Sequence, residues 1–334
     1  MTGGRDEPRA QAHDALAARL GGLDDGALAA LAPEGGWRTH FHGGHSGLVE
    51  VDGAKVFAKH IALTDLERAA EGSTANLSGL PGFYQYGIGS AGFGAWRELA
   101  AMTQASGWAL AGDCPYFPIV HHWRVVSRPE VELSDRQRDW VAQAPDYWDG
   151  SEAVRARVEA IAAATSSIVV FMEPAPWMLS TWLAERIGAS GRVDEAAAAL
   201  ALRFQTQLET AAACMNGRGM LHFDLHTQNV LTDGEQIYIA DFGLAVCEDF
   251  ELTADERASF AAHRLYDRGY VDWAFCQWLA PQQGERPELT PGLQAEVARR
   301  RPAAKRLGAF LTALRENKRE PYPAAAIERA LAAR

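Results

Sequence analysis

The sequence predicts an α+β protein, with an antiparallel sheet in its first half and mainly helices in its second half. Short β-prone runs separated by glycines fill residues 37–61, and apolar runs at 119–126 and 167–172 are typical of two further strands. Apolar residues then recur at helical spacing across 193–215, and the segment 253–334 is helical in character. These observations favour a sheet-containing region followed by a helical one.

Turn residues divide this pattern into elements. Residues 1–36 are expected to form an N-terminal helical extension. The Asp52-Gly53 pair is a favoured two-residue hairpin turn, so 37–61 is expected to hold three antiparallel strands. The insert at 130–165 is unusually long for a connection between two paired strands, so it is either a lid or a sign that the assignment of these strands is in error. Helices are expected at 10–20, 24–31, 95–105, 152–164 and 193–215.

Composition excludes several classes of partner. The chain has 43 acidic and 32 basic side chains and a formal net charge of -11. Nucleic acids and anionic membranes require a positive footprint, so neither is expected as a partner. No apolar run approaches the roughly 18 residues of a membrane span, and the polar N-terminus does not resemble a signal peptide. The four cysteines form no C-x-x-C pair, which favours reduced thiols and a cytoplasmic location.

The strongest chemical signal lies at 220–245. The run H-F-D-L-H-T-Q-N begins at His222, and the run D-F-G begins at Asp241. Asp224 and Asn229 share one predicted loop, and a predicted hairpin returns the chain so that Asp241 arrives beside them. Two carboxylates and one amide oxygen are therefore expected to converge on one site.

This segment resembles the H-x-D-x-x-x-x-N catalytic loop and the D-F-G metal loop of the protein-kinase-like superfamily. The resemblance implies a two-lobed protein-kinase-like fold, with an antiparallel β-sheet N-lobe at 37–173, a mainly helical C-lobe at 174–334 and a nucleotide between them. It implies that Asp224 orients the acceptor hydroxyl and takes its proton. It also implies that Asn229 and Asp241 hold Mg²⁺ against the phosphates of ATP or GTP.

The same resemblance implies roles for residues upstream. The run ending at Lys59 is similar to the V-A-I-K strand, whose lysine contacts the α- and β-phosphates. Glu98 on the next long predicted helix is the expected partner of this lysine, with Glu67 and Glu71 as alternatives. A glycine-rich loop that departs from G-x-G-x-x-G is expected to approach the phosphates, with the side chains of His45 and Ser46 at its tip near the γ-phosphate. This loop comprises Gly43, Gly44, His45, Ser46 and Gly47.

The segment after the last sheet strand resembles the hinge that binds adenine in this superfamily. The resemblance implies that Met172 borders the base. The carbonyl of Glu173 and the N–H of Ala175 are expected to form hydrogen bonds with it, because Pro174 has no N–H to donate.

Two positions favour a small-molecule kinase over a protein kinase. Phe223 and His226 stand where protein kinases typically have arginine and lysine, and no A-P-E segment follows. The loop is similar to the H-G-D-L-H-x-x-N loop of aminoglycoside phosphotransferases and related antibiotic or metabolite kinases, with Phe223 in place of glycine. The expected activity is Mg²⁺-dependent phosphorylation of a small-molecule hydroxyl, first of all on an antibiotic. A serine/threonine protein kinase and a nucleotide-binding pseudokinase are the alternatives.

Acidic residues near the predicted acceptor wall suggest a cationic acceptor. A locally acidic pocket would attract an aminoglycoside or a basic peptide antibiotic, although a neutral nucleoside or sugar would not require it. The acidic residues are Asp249, Glu251, Asp255, Glu256, Asp267 and Asp272.

Overall fold

The computed structural model is an α+β protein in which helices take up about half of the described residues. The structure describes residues 6–40, 44–128, 133–187, 193–279 and 288–334. Gly43 of the expected phosphate loop lies outside these residues. No described helix is both long enough and apolar enough to cross a membrane.

The chain divides into two compact units. The sheet unit comprises Met1–Gln85, Ser90–Pro174 and Phe250–Thr253. The helical unit comprises Tyr86–Gly89, Ala175–Asp249 and Ala254–Arg334.

An antiparallel sheet is the centre of the sheet unit. Its five described strands, in spatial order, are β1 (Arg38–Thr39), β2 (His45–Val51), β3 (Ala54–Leu63), β5 (Ser166–Met172) and β4 (Val120–Ser127). Asp52 and Gly53 have φ angles of 50° and 83°, which confirms the predicted hairpin turn between β2 and β3. Strand β5 is buried along its whole length, because it lies between β3 and β4.

The helices of the sheet unit are α1 (Asp6–Gly21), α2 (Asp25–Ala30), α3 (Asp65–Ala69), a 3₁₀ turn (Gly82–Gln85), α4 (Ala95–Leu110), α5 (Asp135–Tyr147) and α6 (Glu152–Ala163). Four of them lie at the positions that the sequence predicts, and three are additions: α3, the 3₁₀ turn and α5. The additional long helix is α5, which the internal Pro145 obscures in the sequence. Its N-terminus has a capping box of Ser134 and Gln137, the signal that could have revealed it.

The insert does not prevent the two later strands from pairing. Strands β4 and β5 are antiparallel neighbours, with Trp123 opposite Val170. Helices α5 and α6 make up most of the described insert and pack against each other. Both strands are present where the sequence predicts them, so the alternative that the strand assignment is in error is wrong.

The helical unit consists mainly of helices with short strands between them. The helices are α7 (Leu179–Ile187), α8 (Glu195–Asn216), α9 (Ala254–Ala262), α10 (Tyr266–Trp278), α11 (Pro291–Glu316) and α12 (Ala324–Ala332). The strands are β6 (Trp177–Met178), β7 (Met220–Leu221), β8 (Val230–Thr232), β9 (Ile237–Ile239) and β10 (Val246–Cys247). Strand β7 pairs with β10, and β8 lies between β6 and β9. The loop between β7 and β8 carries the predicted catalytic residues.

Candidate active site

Asn229 orients Asp224 on the loop between β7 and β8. The Asn229 amide nitrogen Nδ2 donates to both the backbone carbonyl and the carboxylate Oδ2 of Asp224, each at 3.0 Å. Because an amide presents its nitrogen and oxygen on opposite sides, Oδ1 of Asn229 is directed away from Asp224. That oxygen is the atom with which Asn229 could bind a cation.

Three further residues surround the Asp224 carboxylate. His226 Nε2 lies 3.5 Å from Oδ2, and the Tyr270 hydroxyl donates to Oδ1 at 3.3 Å. A Cβ atom on Gly87 would lie 2.2 Å from Oδ1, so any side chain at that position would displace the Asp224 carboxylate. The sequence did not indicate a role at this site for Gly87 or Tyr270.

The charge of Asp224 also acts on His226. Burial favours the neutral ring, but the hydrogen bond to Asp224 and the negative charge of Asp224 outweigh this effect. Together they hold the pKa of His226 above its ordinary value. A protonated His226 would place a positive charge beside the carboxylate.

A fully buried carboxylate on α10 anchors the start of this loop. Asp267 accepts the backbone N–H groups of His222 and Phe223 at 2.8 and 3.0 Å, and the side-chain N–H of Asn216 at 2.7 Å. Burial raises the pKa of the Asp267 carboxyl. Phe223 has a φ of 66°, which is costly for a bulky side chain and persists only where the surroundings hold it.

Asp241 follows β9 in a second strained conformation. Its φ is 61°, and its side chain is exposed. The preceding residue, Ala240, donates its N–H to the carbonyl of Asn229 at 2.9 Å and accepts from Nε2 of His222 at 3.1 Å. These bonds join the backbone just before Asp241 to the loop between β7 and β8. Residues with such positive φ angles cluster at functional sites. The strained backbone at Phe223 and Asp241 therefore favours a functional role for these two segments.

The donor set on this loop fits Mg²⁺ bound together with phosphates. Within the described residues, no group of three or more His, Cys, Asp or Glu side chains is arranged to hold a metal ion. Asp241 and Asn229 offer one carboxylate and one amide oxygen. Proteins usually bind Mg²⁺ through one or two carboxylates, with substrate phosphates and waters completing the coordination.

Lys59 and Glu98 form an ion pair in the sheet unit. Lys59 on β3 places Nζ 2.7 Å from Oε1 of Glu98 on α4, and both side chains are largely buried. Glu67, the first alternative partner, instead caps α3 and pairs with the buried Arg157 at 2.9 Å. Glu71, the second alternative, is exposed after α3. The sequence therefore identified the partner of Lys59 correctly, although the function of the pair remains a prediction.

The described part of the expected phosphate loop is mostly strand. His45 and Ser46 belong to β2 and are buried, rather than lying at a loop tip. Ser46 faces Lys59 across the β2–β3 ladder. Pairing with β3 extends β2 back to His45, and burial lowers the pKa of His45 to about 4. Gly44 precedes the strand.

Gly47 is fixed by packing within the sheet unit. A Cβ atom there would lie 2.2 Å from Cγ of Pro33. The glycine is therefore required where the segment after α2 crosses β2, and its packing role does not depend on phosphate.

The predicted hinge begins at the end of β5. Met172 is buried, and the Glu173 N–H donates to the Ile119 carbonyl at 2.8 Å. Arg9 of α1 donates to both carboxylate oxygens of Glu173, at 3.0 and 2.6 Å. The sequence gave no sign of this pairing, because α1 and β5 are far apart in the chain. Ala175, the expected donor to the base, is the first residue of the helical unit after Pro174.

Two of the six acidic residues expected near the acceptor are buried in the fold, and a third, Glu251, is exposed and hydrogen-bonded. Asp267 anchors the catalytic loop, as described above. Asp272 on α10 is fully buried, and it accepts from Arg300 Nη1 at 3.0 Å and from Arg334 Nε at 3.0 Å. Glu251 accepts from the Ser73 hydroxyl at 2.7 Å.

Comparison with known proteins adds no name to this site. No protein-family model matches the chain, and a search of curated proteins finds no match. The assignment of the site therefore depends on its geometry. The helical unit presents a carboxylate oriented by an amide, on a loop bonded to the backbone just before a second carboxylate. The sheet unit presents a buried lysine–glutamate pair.

Proposed function

We propose that the chain is a two-lobed, protein-kinase-like phosphotransferase that transfers the γ-phosphate of ATP or GTP to a hydroxyl group of a small molecule. The observation that carries this proposal is the orientation of Asp224 by Asn229 on a loop bonded to the backbone just before Asp241. Phosphoryl transfer requires positioning and charge neutralisation more than covalent chemistry, and this loop offers both.

Asp224 is the proposed general base. Its carboxylate would accept the proton of the acceptor hydroxyl as that oxygen attacks the γ-phosphorus. Asn229 and Tyr270 hold the two carboxylate oxygens in separate directions, which fixes the orientation of the base. Asn229 and Asp241 would hold Mg²⁺, which would neutralise charge on the nucleotide phosphates when bound.

Lys59 is the proposed phosphate ligand of the sheet unit. Its ammonium would bind the α- and β-phosphates, and Glu98 would keep it in position. A buried ion pair adds little net stability, since the loss of hydration offsets most of the attraction. A role in nucleotide binding therefore accounts for the pair better than a role in stability. We propose that the Lys59 and Asp224 residue sets bind the same nucleotide.

The environment of Phe223 supports a small-molecule acceptor. Protein kinases that are controlled by phosphorylation need a cation near the catalytic aspartate to receive the phosphate. Phe223 is buried and stacks on Tyr266, with 4.8 Å between the ring centroids. A buried aromatic ring cannot receive a phosphate group, so the site lacks a receptor at this position.

A phosphoryl-transfer assay tests the proposal. The full chain is incubated with Mg²⁺ and ATP or GTP, together with aminoglycosides, nucleosides, hydroxylated amphiphiles and a generic protein substrate. Products are identified by mass spectrometry, with Asp224→Ala as the control. We expect phosphate on a small molecule, and transfer at least about a hundredfold slower with the variant. Phosphate on protein alone would instead indicate a protein kinase, and failure to bind any nucleotide would refute the proposal.

A further inference from the structure

Helix α1 packs along β4, the last of the described strands of the large sheet. Its side chains at positions 9, 13, 16 and 20 follow one face of the helix, at spacings of three and four residues. The ring centroid of His13 lies 5.7 Å from that of His121 on β4, and Leu20 is fully buried in the core of the sheet unit. These contacts hold α1 against the sheet along its length.

Arg9, in the first turn of α1, joins two segments that lie far from it in the sequence. Its Nε and Nη2 atoms donate to the two carboxylate oxygens of Glu173, at 3.0 and 2.6 Å. Its Nη1 and Nη2 atoms also donate to the backbone carbonyls of Pro115 and Phe117, at 3.3 and 2.8 Å. A guanidinium that binds both oxygens of a carboxylate fixes the orientation of that carboxylate as well as its position. Arg9 therefore ties the start of the predicted hinge to the segment that precedes β4.

Glu173 is held through its backbone as well as through its side chain. Its N–H donates to the Ile119 carbonyl at 2.8 Å, and its Oε2 accepts from the Ile119 N–H at 3.3 Å. Pro174 restricts the residue before it to extended backbone. None of these bonds uses the backbone carbonyl of Glu173, which is the atom expected to accept a hydrogen bond from the nucleotide base. The hinge residue is thus fixed in a way that keeps this acceptor out of the bonds that fix it.

The contacts of Arg9 differ from those of an ordinary surface ion pair. Farther along the same helix, Arg19 pairs with Asp52 at 2.8 Å, and both side chains are at least half exposed. Such pairs are screened by water and constrain little. Arg9 and Glu173 retain only 15% and 26% of their side-chain exposure, and Arg9 binds four acceptors on two segments. This arrangement sets the geometry of the hinge.

We infer that Arg9 is a positioning residue for the nucleotide base, and that α1 is part of the nucleotide-binding machinery. Arg9 acts through Glu173, whose backbone carbonyl it keeps in place to accept a hydrogen bond from the base. An acceptor that is already in place binds a ligand more tightly, because binding does not have to order it. The inference rests on the nucleotide binding of the proposed function.

Calorimetric titration of the full chain with two probes tests this role, with Mg²⁺ present throughout. One probe is ATP or GTP, whichever the wild type binds more tightly, and the other is inorganic triphosphate, which has the phosphates but no base. We expect Arg9→Gln to weaken nucleotide binding by about tenfold and to leave the Kd of triphosphate unchanged. An unchanged Kd for triphosphate also shows that the variant is folded. Arg19→Gln is the matched control on the same helix, and it should bind both probes as the wild type does.

A double-mutant cycle tests whether Arg9 acts through Glu173. Glu173→Gln keeps the backbone carbonyl but removes the charge that Arg9 binds, so it should also weaken nucleotide binding. Because the two side chains are proposed to act as one unit, Arg9→Gln/Glu173→Gln should weaken binding no more than Arg9→Gln alone. Additive losses would show that the two residues act independently, and they would overturn the inference.

Three other results would overturn it: wild-type nucleotide affinity in Arg9→Gln, an equal loss of triphosphate affinity, or an equal loss of nucleotide affinity in Arg19→Gln. Transfer measurements separate this inference from the proposed function. Arg9→Gln should raise the KM for the nucleotide and leave kcat unchanged. If transfer depends on Asp224 but the nucleotide KM of Arg9→Gln is that of the wild type, the positioning role fails and phosphotransfer stands. If nucleotide affinity falls as expected but no acceptor receives phosphate, phosphotransfer fails and the role of Arg9 stands. Failure of the wild type to bind any nucleotide overturns both.

Discussion

Lys59, the proposed phosphate ligand, and Asp224, the proposed base, are held in place in different ways. Lys59 lies on a regular strand, opposite Ser46 in a ladder whose register is set by a hairpin turn. Asp224 lies on an irregular loop, where contacts with Gly87 and Tyr270 from distant parts of the chain fix its carboxylate. Strand pairing positions the lysine through local structure, whereas the aspartate depends on tertiary packing. Small changes in packing should therefore disturb the Asp224 set more than the Lys59 set.

Loss of the proposed metal ligand should have the largest effect. Asp241→Ala should lower transfer by about a thousandfold, because charge on the phosphates would no longer be neutralised. It should also remove the Mg²⁺-dependent part of nucleotide affinity. Lys59→Ala should weaken nucleotide binding, but the nucleotide affinity of this variant should still depend on Mg²⁺. Titrations of each variant with nucleotide, with and without Mg²⁺, provide the measurement. Equal affinity in both conditions in the wild-type protein would exclude the metal role.

A methyl group at position 87 should displace the base. Gly87→Ala would place a Cβ atom against Asp224 Oδ1, and a displacement of about 1 Å can reduce turnover about a hundredfold. Nucleotide affinity should stay unchanged, because the methyl group contacts only the aspartate. Gly82→Ala is the matched control, since a Cβ atom there has no neighbour within 4 Å. If both variants turn over at the wild-type rate, the close contact at Asp224 does not exist in solution.

The sequence predicted more of the sheet unit than of the Asp224 environment, for a physical reason. Strand alternation and a hairpin turn follow from local pattern, and the Lys59–Glu98 pair follows from the resemblance of this strand to the V-A-I-K strand. The spacing of Asp224 and Asn229 also revealed their contact. Tyr270 and Gly87 left no such signal, because their roles arise only when distant segments meet. Asp267 was expected in an acceptor pocket, and its burial under the catalytic loop could not be inferred from composition.

In the sheet unit, the buried Glu67–Arg157 pair should matter for stability rather than for turnover. Arg157→Ala leaves the Glu67 carboxylate buried without its cation, at a cost of about 3–5 kcal/mol in the free energy of unfolding. Arg155→Ala on the same helix breaks only an exposed pair and should cost less than about 1 kcal/mol. Denaturant titration compares the two variants. Similar losses in the free energy of unfolding of both variants would show that the buried pair matters no more for stability than the exposed pair.

Two histidines, one near Lys59 and one near Asp224, should make the stability of the fold depend on pH in opposite directions. Burial lowers the pKa of His60, which follows Lys59 on β3, to about 4. The contribution of His60 to stability is therefore complete above pH about 6.5, the ordinary pKa of a histidine. That stability is lost as the pH falls towards 4. The pKa of His226 is raised, so its contribution is complete below pH about 6.5 and is lost as the pH rises through the raised value.

Thermal unfolding measured across this pH range tests the direction of each change. The expected changes in Tm are the smallest of the predicted effects. In His60→Asn, Tm should fall less between pH 6.5 and 5 than it does in the wild type. In His226→Asn, the loss of Tm above pH 6.5 should be smaller than in the wild type. An unchanged acid slope in His60→Asn would contradict a neutral, buried imidazole at this position.

The central claim is that Asp224 acts in transfer and not in nucleotide binding. The most direct test measures both quantities on the same preparations of the wild-type protein and Asp224→Ala, with Mg²⁺ present and with the acceptor found in the transfer assay. We predict one nucleotide per chain with the same Kd in both proteins, and a loss of transfer of at least about a hundredfold in the variant. Transfer at the wild-type rate in Asp224→Ala, or loss of its bound nucleotide, would contradict the assignment of Asp224 as the base.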